Sequence, residues 1–178
     1  TFTSHTFTNC GATGNTGPSL SNCTSSYGGS NNWWNDTDYF NVGGASGVNG
    51  IQIWTVPDTG YYEVDAYGAR GGGILNVPSG KAGGGLGARM KSRFSLTKGD
   101  KYMILCGQQG TTGGDHTSVG ASGGGGTFFV KGDNYSNVVL ADVQLVAGGG
   151  GGRGSTGHSD ESHGGNGDSG NSNSSGGG

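Results

Sequence analysis

Gly120-Ala121-Ser122-Gly123-Gly124 matches G-x-S-x-G, the pattern in which a serine on a sharp strand-to-helix turn becomes a nucleophile. That turn needs an apolar strand before it and a helix after it. Here Thr117-Ser118-Val119 precedes and more glycine follows, so the match reads as chance in a chain with 44 glycines among 178 residues. Gly83, Gly85 and Ala88 fit G-x-G-x-x-A, yet a strand-like stretch follows where a dinucleotide-binding turn would open a helix. His158, Asp160, Glu161 and His163 are cation-ligating types, but spread through a polar turn they read as solvated side chains. The 4 histidines supply no set of nucleophile, base and orienting group. The expectation is therefore a protein that is not an enzyme, with no catalytic, cofactor-binding or metal-ligating residues.

Cysteine and asparagine carry the remaining chemistry. Of the 3 cysteines, Cys10 and Cys23 lie in one stretch rich in Gly, Asn, Ser and Pro. A bridge between them would close a short loop, worth roughly 3 kcal/mol. Cys106 ends the apolar run Tyr102-Met103-Ile104-Leu105 and reads as a buried free thiol. Acceptor sequons for N-linked glycans stand at Asn22, Asn35, Asn134 and Asn173. Sequons beside a disulfide favour a secreted or cell-surface chain.

The elements that would position these groups are punctuated by glycine. In the tail, Ala147 to Gly178, glycines fall at 148, 151, 154 and 157, and the phase resumes at 164, 167, 170 and 176. The same spacing recurs at Gly68 and Gly71, Gly80 and Gly83, Gly110 and Gly113, and Gly120, Gly123 and Gly126. A period of three fits neither an α-helix nor a strand; it fits the extended left-handed helix with three residues per turn. Such a helix has no internal hydrogen bonds, so its backbone groups need partners on neighbouring chains. With only 3 prolines, collagen is excluded. Bare glycine backbones that approach one another closely offer the other solution, a bundle of polyglycine-II helices. The competing reading is a flexible Gly/Ser linker, which this composition usually means; the expectation is that the runs are ordered. Two tail helices are expected, 148–157 and 164–176, joined by a turn at 158–163.

Between the glycine runs lie strand patterns. Thr1 to Thr8 alternates and suggests a strand; 9–32 reads as a loop. Trp33 and Trp34, if extended, point to opposite faces, as core or glycan contacts or as a ligand platform. Ile51, Ile53 and Trp54 form a strand ended by the turn Pro57-Asp58-Thr59-Gly60. Tyr62, Val64 and Ala66 alternate with Tyr61, Glu63 and Asp65. From Leu86 to Leu96 the even positions share one face, and Arg89, Lys91 and Arg93 share the other. Residues 101–106, 127–131 and 138–146 are further strands, and no stretch shows a helical period. The expected fold is all-β: a β-sandwich over 1–146 with glycine-helix insertions at 68–87 and 107–126, and a glycine-rich segment at 147–178 on the same domain. A net charge of −3 without a basic aromatic cluster excludes a nucleic-acid partner. No run reaches transmembrane length, so no membrane insertion by this segment is expected. The lack of an initiator Met or leader reads as a mature or excised segment.

Several motifs together resemble a known family. These are Cys10-Gly11-Ala12-Thr13-Gly14 with Gly17-Pro18 and Cys23; Gly50-Ile51-Gln52-Ile53-Trp54-Thr55-Val56-Pro57; Tyr67-Gly68-Ala69-Arg70-Gly71-Gly72; and Gly107-Gln108-Gln109-Gly110. Gly123 to Phe129 and Val146-Ala147 with the following glycines complete the set. In this order they resemble the glycine-rich domain in the ectodomains of anaplastic lymphoma kinase and leukocyte tyrosine kinase. The resemblance implies a tumour-necrosis-factor-like, jelly-roll β-sandwich with inserted polyglycine-II helices, and it also implies the Cys10–Cys23 disulfide. The family's cysteine-bearing insertion after Gly-Gln-Gln-Gly is absent. None of its cytokine-binding residues matches a position here, so none is carried over.

The expected function is a non-enzymatic, extracellular, self-assembling subunit of a glycosylated fibre or coat. Its partners would be copies of itself, joined head to tail, with Thr1 to Thr8 completing a neighbour's sandwich by strand addition. The alternative is a receptor ectodomain module that binds a polypeptide ligand; a weaker one is an adhesin.

Overall fold

The computed structural model describes residues 3–29, 32–75, 83–115 and 120–154. The chain divides into two compact units. The first comprises Thr1–Asp65, Lys91–Cys106 and Phe128–Val146; the second comprises Ala66–Met90, Gly107–Thr127 and Ala147–Gly178.

The fold is all-β. One sheet is five-stranded, ordered β1 (Phe40–Val42), β2 (Ile51–Thr55), β6 (Lys101–Leu105), β8 (Thr127–Lys131) and β9 (Val143–Ala147). β2 pairs antiparallel with β1 and with β6, and β6 with β8. A second sheet joins β3 (Gly60–Tyr67) and β5 (Arg89–Leu96). Its strands run antiparallel, since Glu63 meets Lys91 and Tyr61 meets Arg93.

The strand register explains why the five-stranded sheet is buried on both faces. Opposed residues share a face, so Gln52, Trp54, Tyr102, Ile104 and Phe129 lie together. The Tyr102 and Phe129 rings stack at 4.6 Å, 7° from parallel. β3 and β5 close over this face, with Tyr62 5.4 Å from Trp54 and Phe94 5.6 Å from Phe129 between ring centroids. On the opposite face, Ile53, Met103 and Val130 form a core covered by Ile51, Phe128, Val138 and Val143. This layering is the expected sandwich.

Four local readings of the sequence need correction. Residues 3–9 form no strand; they are irregular backbone lying across the aromatic cluster of their own unit. Within the expected loop sits a helix, α1 (Leu20–Tyr27), opened by Ser19 as N-cap, with Asn22 closing a reciprocal capping pair. Trp33 and Trp34 are not extended. They occupy a 3₁₀ turn, Trp33–Asn35, and both rings turn inward, edge to face at 5.5 Å. Residues 138–142 are not strand either. The Asp142 carboxylate accepts the Val139 N–H at 3.0 Å and holds a 3₁₀ turn, Leu140–Asp142, that leaves Leu140 89% exposed before β9 begins. The sequence reading also passed over β1 and the parallel pair β4 (Ile74–Leu75) and β7 (Gly113–Asp115).

In the glycine-rich unit, runs 68–73, 83–88, 107–112, 120–126 and 148–153 carry neither helix nor strand. Their backbone groups bond from run to run, and each bond is repeated three residues along. Gly68 donates to Ala88 and Gly71 to Gly85, at 2.8 and 3.0 Å; Ala69 donates to Gly125 and Gly72 to Ser122, at 3.0 and 2.8 Å. Gly150 donates to Ala69 and Arg153 to Gly72, at 2.9 and 3.1 Å. Gly110 donates to Arg70 and Gly113 to Gly73, at 3.0 and 2.8 Å. Run 68–73 therefore bonds with every other run and lies at the centre. Close approach is what requires glycine: a Cβ on Gly71 would fall on the Gly151 carbonyl, and one on Gly150 on that of Gly85. Crowding is not confined to every third position. Gly149, Gly150 and Gly152 all abut neighbouring backbone. The expected tail helix 164–176 and turn 158–163 lie outside the described residues.

Candidate functional site

The outward face of the β3–β5 ribbon in the sandwich unit carries Tyr61, Glu63 and Asp65 on one strand and Lys91, Arg93 and Ser95 on the other, all exposed. The period-two alternation that half-buries Tyr62, Val64 and Phe94 sends these side chains to solvent. They form cross-strand pairs. The Arg93 guanidinium lies over the Tyr61 ring, 4.4 Å from its centroid. Lys91 Nζ stands 2.8 Å from Glu63 Oε1. Exposed pairs of this kind add at most about 1 kcal/mol to stability. Their effect is orientation. Tyr61, 70% exposed, presents an amphipathic ring beside the Arg93 charge. Tyrosine and arginine are the residues that protein interfaces concentrate. The sequence reading found Arg89, Lys91 and Arg93 on one face but missed their tyrosine partners; alternation of Tyr61 with Glu63 and Asp65 was the signal available. Within the glycine-rich unit, Arg89 lies 5.2 Å over the Tyr67 ring.

A cavity of about 280 Å³ opens elsewhere in the sandwich unit, lined by Thr37, Phe40, Asn41, Ile53, Lys101 and Asp133, among others. Lys101 Nζ and Asp133 Oδ2 pair at 2.9 Å, so its two charges answer each other.

An aromatic cluster surrounds His5, with Tyr27, Phe7, Trp33 and Trp34 at centroid distances of 4.5, 4.6, 4.8 and 5.2 Å. Burial pushes the imidazole pKa down to about 4, and Nε2 has no hydrogen-bond partner. Behind it, Cys10 and Cys23 form the expected disulfide and are both buried. Cys106 is free and half-buried rather than fully buried, with its thiol pKa pushed up to about 11 by desolvation.

Ser122 sits in a glycine run that leads into β8, not on a strand-to-helix turn. Its hydroxyl accepts the Thr111 N–H at 2.7 Å and bonds to the Thr111 hydroxyl at 2.9 Å. Residues 83–88 lead into strand β5, not a helix. His158, Asp160, Glu161 and His163 lie outside the described residues. Of the sequons, Asn22 and Asn35 are exposed and Asn134 is partly exposed. Asn22 and Asn134 use Oδ1 for capping, accepting the Ser19 and Ser136 N–H groups respectively at 3.0 Å each, so the glycan-bearing nitrogen is not the capping atom. Asn35 Nδ2 donates to Gly29 O at 2.9 Å. Asn173 lies outside the described residues.

No helix among the described residues is long and apolar enough to cross a membrane. No protein-family model matches the chain. It is 38% identical over 104 residues, 58% of its length, to the leukocyte tyrosine kinase receptor of Mus musculus. The match spans 11% of that receptor's length. Over that stretch, then, the chain is related to the leukocyte tyrosine kinase receptor.

Proposed function

We propose that this chain is a non-enzymatic extracellular module that binds a polypeptide ligand through the outward face of its β3–β5 ribbon, at Tyr61, Glu63, Lys91 and Arg93. The observation that carries the reading is the 104-residue similarity to a receptor. It favours the receptor-module alternative over the self-assembling fibre, which gains no support from it. The disulfide suits an oxidising, extracellular setting, and N-glycans at Asn22, Asn35 and Asn134 belong to the same proposal.

The glycine-rich unit would act as a stiff support. We read its runs as polyglycine-II helices. The three-residue repeat of the bonds between runs supports this, as does the absence of positive φ at their glycines; the positive-φ glycines of the described chain all lie elsewhere. Bonds from a central run to all its neighbours tie backbone to backbone without side-chain entropy.

The test is binding of candidate secreted polypeptides to the immobilised 178-residue chain. Tyr61→Ala and Arg93→Ala are each expected to weaken a bound ligand about thirtyfold or more, the range of an interface hot spot, while lowering the melting temperature by at most about 4 °C. Binding that ignores both substitutions moves the site elsewhere. Concentration-dependent filament growth without ligand binding would return the fibre reading to the front.

A further inference from the structure

In the glycine-rich unit, Arg153 is 1% exposed, and Nε, Nη1 and Nη2 all lack a hydrogen-bond partner. Its backbone is pinned on both sides: the N–H donates to Gly72 O at 3.1 Å, and its carbonyl accepts the Ala121 N–H at 2.8 Å. Arg70 of the same unit is treated differently. It is exposed, and its Nε donates to Gly84 O at 3.0 Å. A guanidinium does not deprotonate in proteins, so it cannot escape burial by losing its charge. A buried, unpaired cation is among the least favourable arrangements in a folded chain, and one facing charge relieves it.

We propose that the Arg153 guanidinium is the receptor for a carboxylate. Its donor fork matches two carboxylate oxygens in one plane, which a single water does not reproduce. Two sources share this chemistry. One is the chain itself, whose acidic residues in this unit are Asp115, Asp160, Glu161 and Asp168. The other is a carboxylate brought by a bound molecule. The inference is independent of the β3–β5 face and stands if that reading fails.

The experiment compares the full chain with an Asp115→Asn/Asp160→Asn/Glu161→Gln/Asp168→Asn variant, each with Arg153 and with Arg153→Met. Melting temperature is read in sodium chloride and in sodium formate at equal ionic strength. If the carboxylate is the chain's own, neutralisation lowers the melting temperature by several degrees, formate recovers part of the loss, and the Arg153→Met pair shows neither effect. If it is external, neutralisation changes nothing, and formate raises both Arg153 chains. Should Arg153→Met fail to fold, the guanidinium Nε–H resonance of Arg153 in the neutralised variant is followed as formate is added. A saturable shift supports the proposal. Melting temperatures and an Arg153 resonance that respond neither to the acids nor to formate overturn it, as do equal responses in Arg153→Met.

Discussion

The Tyr27 hydroxyl donates to Gln52 Oε1 and also accepts the Thr8 N–H, at 3.1 Å in the latter case. Gln52 is fully buried on β2, and its Nε2 donates to Thr8 O at 2.8 Å. One amide thus ties the N-terminal segment, the last residue of α1 and the central sheet together. Burial raises the Tyr27 pKa, which keeps the phenol protonated as donor. Tyr27→Phe leaves the buried Gln52 Oε1 without its hydroxyl donor, while the exposed Thr8 N–H turns to water. The expected loss is about 1–3 kcal/mol, the desolvation cost of orphaned buried groups, read as a lower urea midpoint at unchanged m. An unchanged midpoint would mean that water reaches the node.

Cys106 gives a second check. With its thiol pKa at about 11, about one molecule in a thousand is thiolate at pH 8 by the titration relation. Iodoacetamide should therefore label native Cys106 far more slowly than the urea-unfolded chain. Reduction of Cys10–Cys23, which closes 13 residues, should lower stability by roughly 3 kcal/mol on the loop-entropy account. Fast native labelling would place Cys106 in water.

What the sequence displayed and what it hid follow from one distinction. Strands whose burial alternates, such as Tyr61 to Ala66, write their fold into residue type, and the three-residue glycine spacing anticipated the bonding between runs. α1 left no such trace: of its eight residues only Cys23 is buried, so no apolar stripe existed to read. Only Ser19 and Asn22 marked its start. Trp33 and Trp34 share one side because of a 3₁₀ turn that no periodicity reports. Gln52 stood in plain view between Ile51 and Ile53, yet a buried polar residue takes its meaning from partners distant in sequence. The Tyr61–Arg93 pair needed the register of two strands, which is set by the whole sheet.

His5 makes stability depend on pH. Its folded pKa of about 4 lies below the ordinary 6.5. Between these values the unfolded chain binds the proton and the folded chain does not, so stability falls as pH drops from about 6.5 toward 4. Above 6.5 this contribution is complete. His5→Phe keeps a ring among Tyr27, Trp33 and Trp34 and removes the titration. Its unfolding free energy should be flatter than that of the parent between pH 6.5 and 5, above the range where most carboxylates titrate. Parallel curves would show that the imidazole is solvated.

The glycine-rich unit makes the sharpest prediction, because two glycines of similar sequence context differ in what surrounds them. Gly71 lies in the central run, where an added Cβ would land on the Gly151 carbonyl, a backbone atom fixed by its own bond from Gly85. Relief requires two runs to separate and lengthens several bonds together. Gly71→Ala is expected to cost at least the roughly 1–3 kcal/mol of overpacking, because backbone yields less readily than a side chain. Gly123 is exposed, and a Cβ there would meet nothing nearer than Gly150 O at 3.5 Å, an ordinary contact. Its φ is not in the left-handed region, so alanine fits without backbone strain. Gly123→Ala should be neutral or stabilising by about 0.4–1 kcal/mol, through the smaller entropy of the unfolded chain. Native-state amide exchange separates the two. Amides that bond between runs, Gly85 and Gly150 among them, should lose protection in Gly71→Ala and keep it in Gly123→Ala. Equal protection in both variants would mean that the runs are not closely apposed, and the polyglycine reading would fall with it.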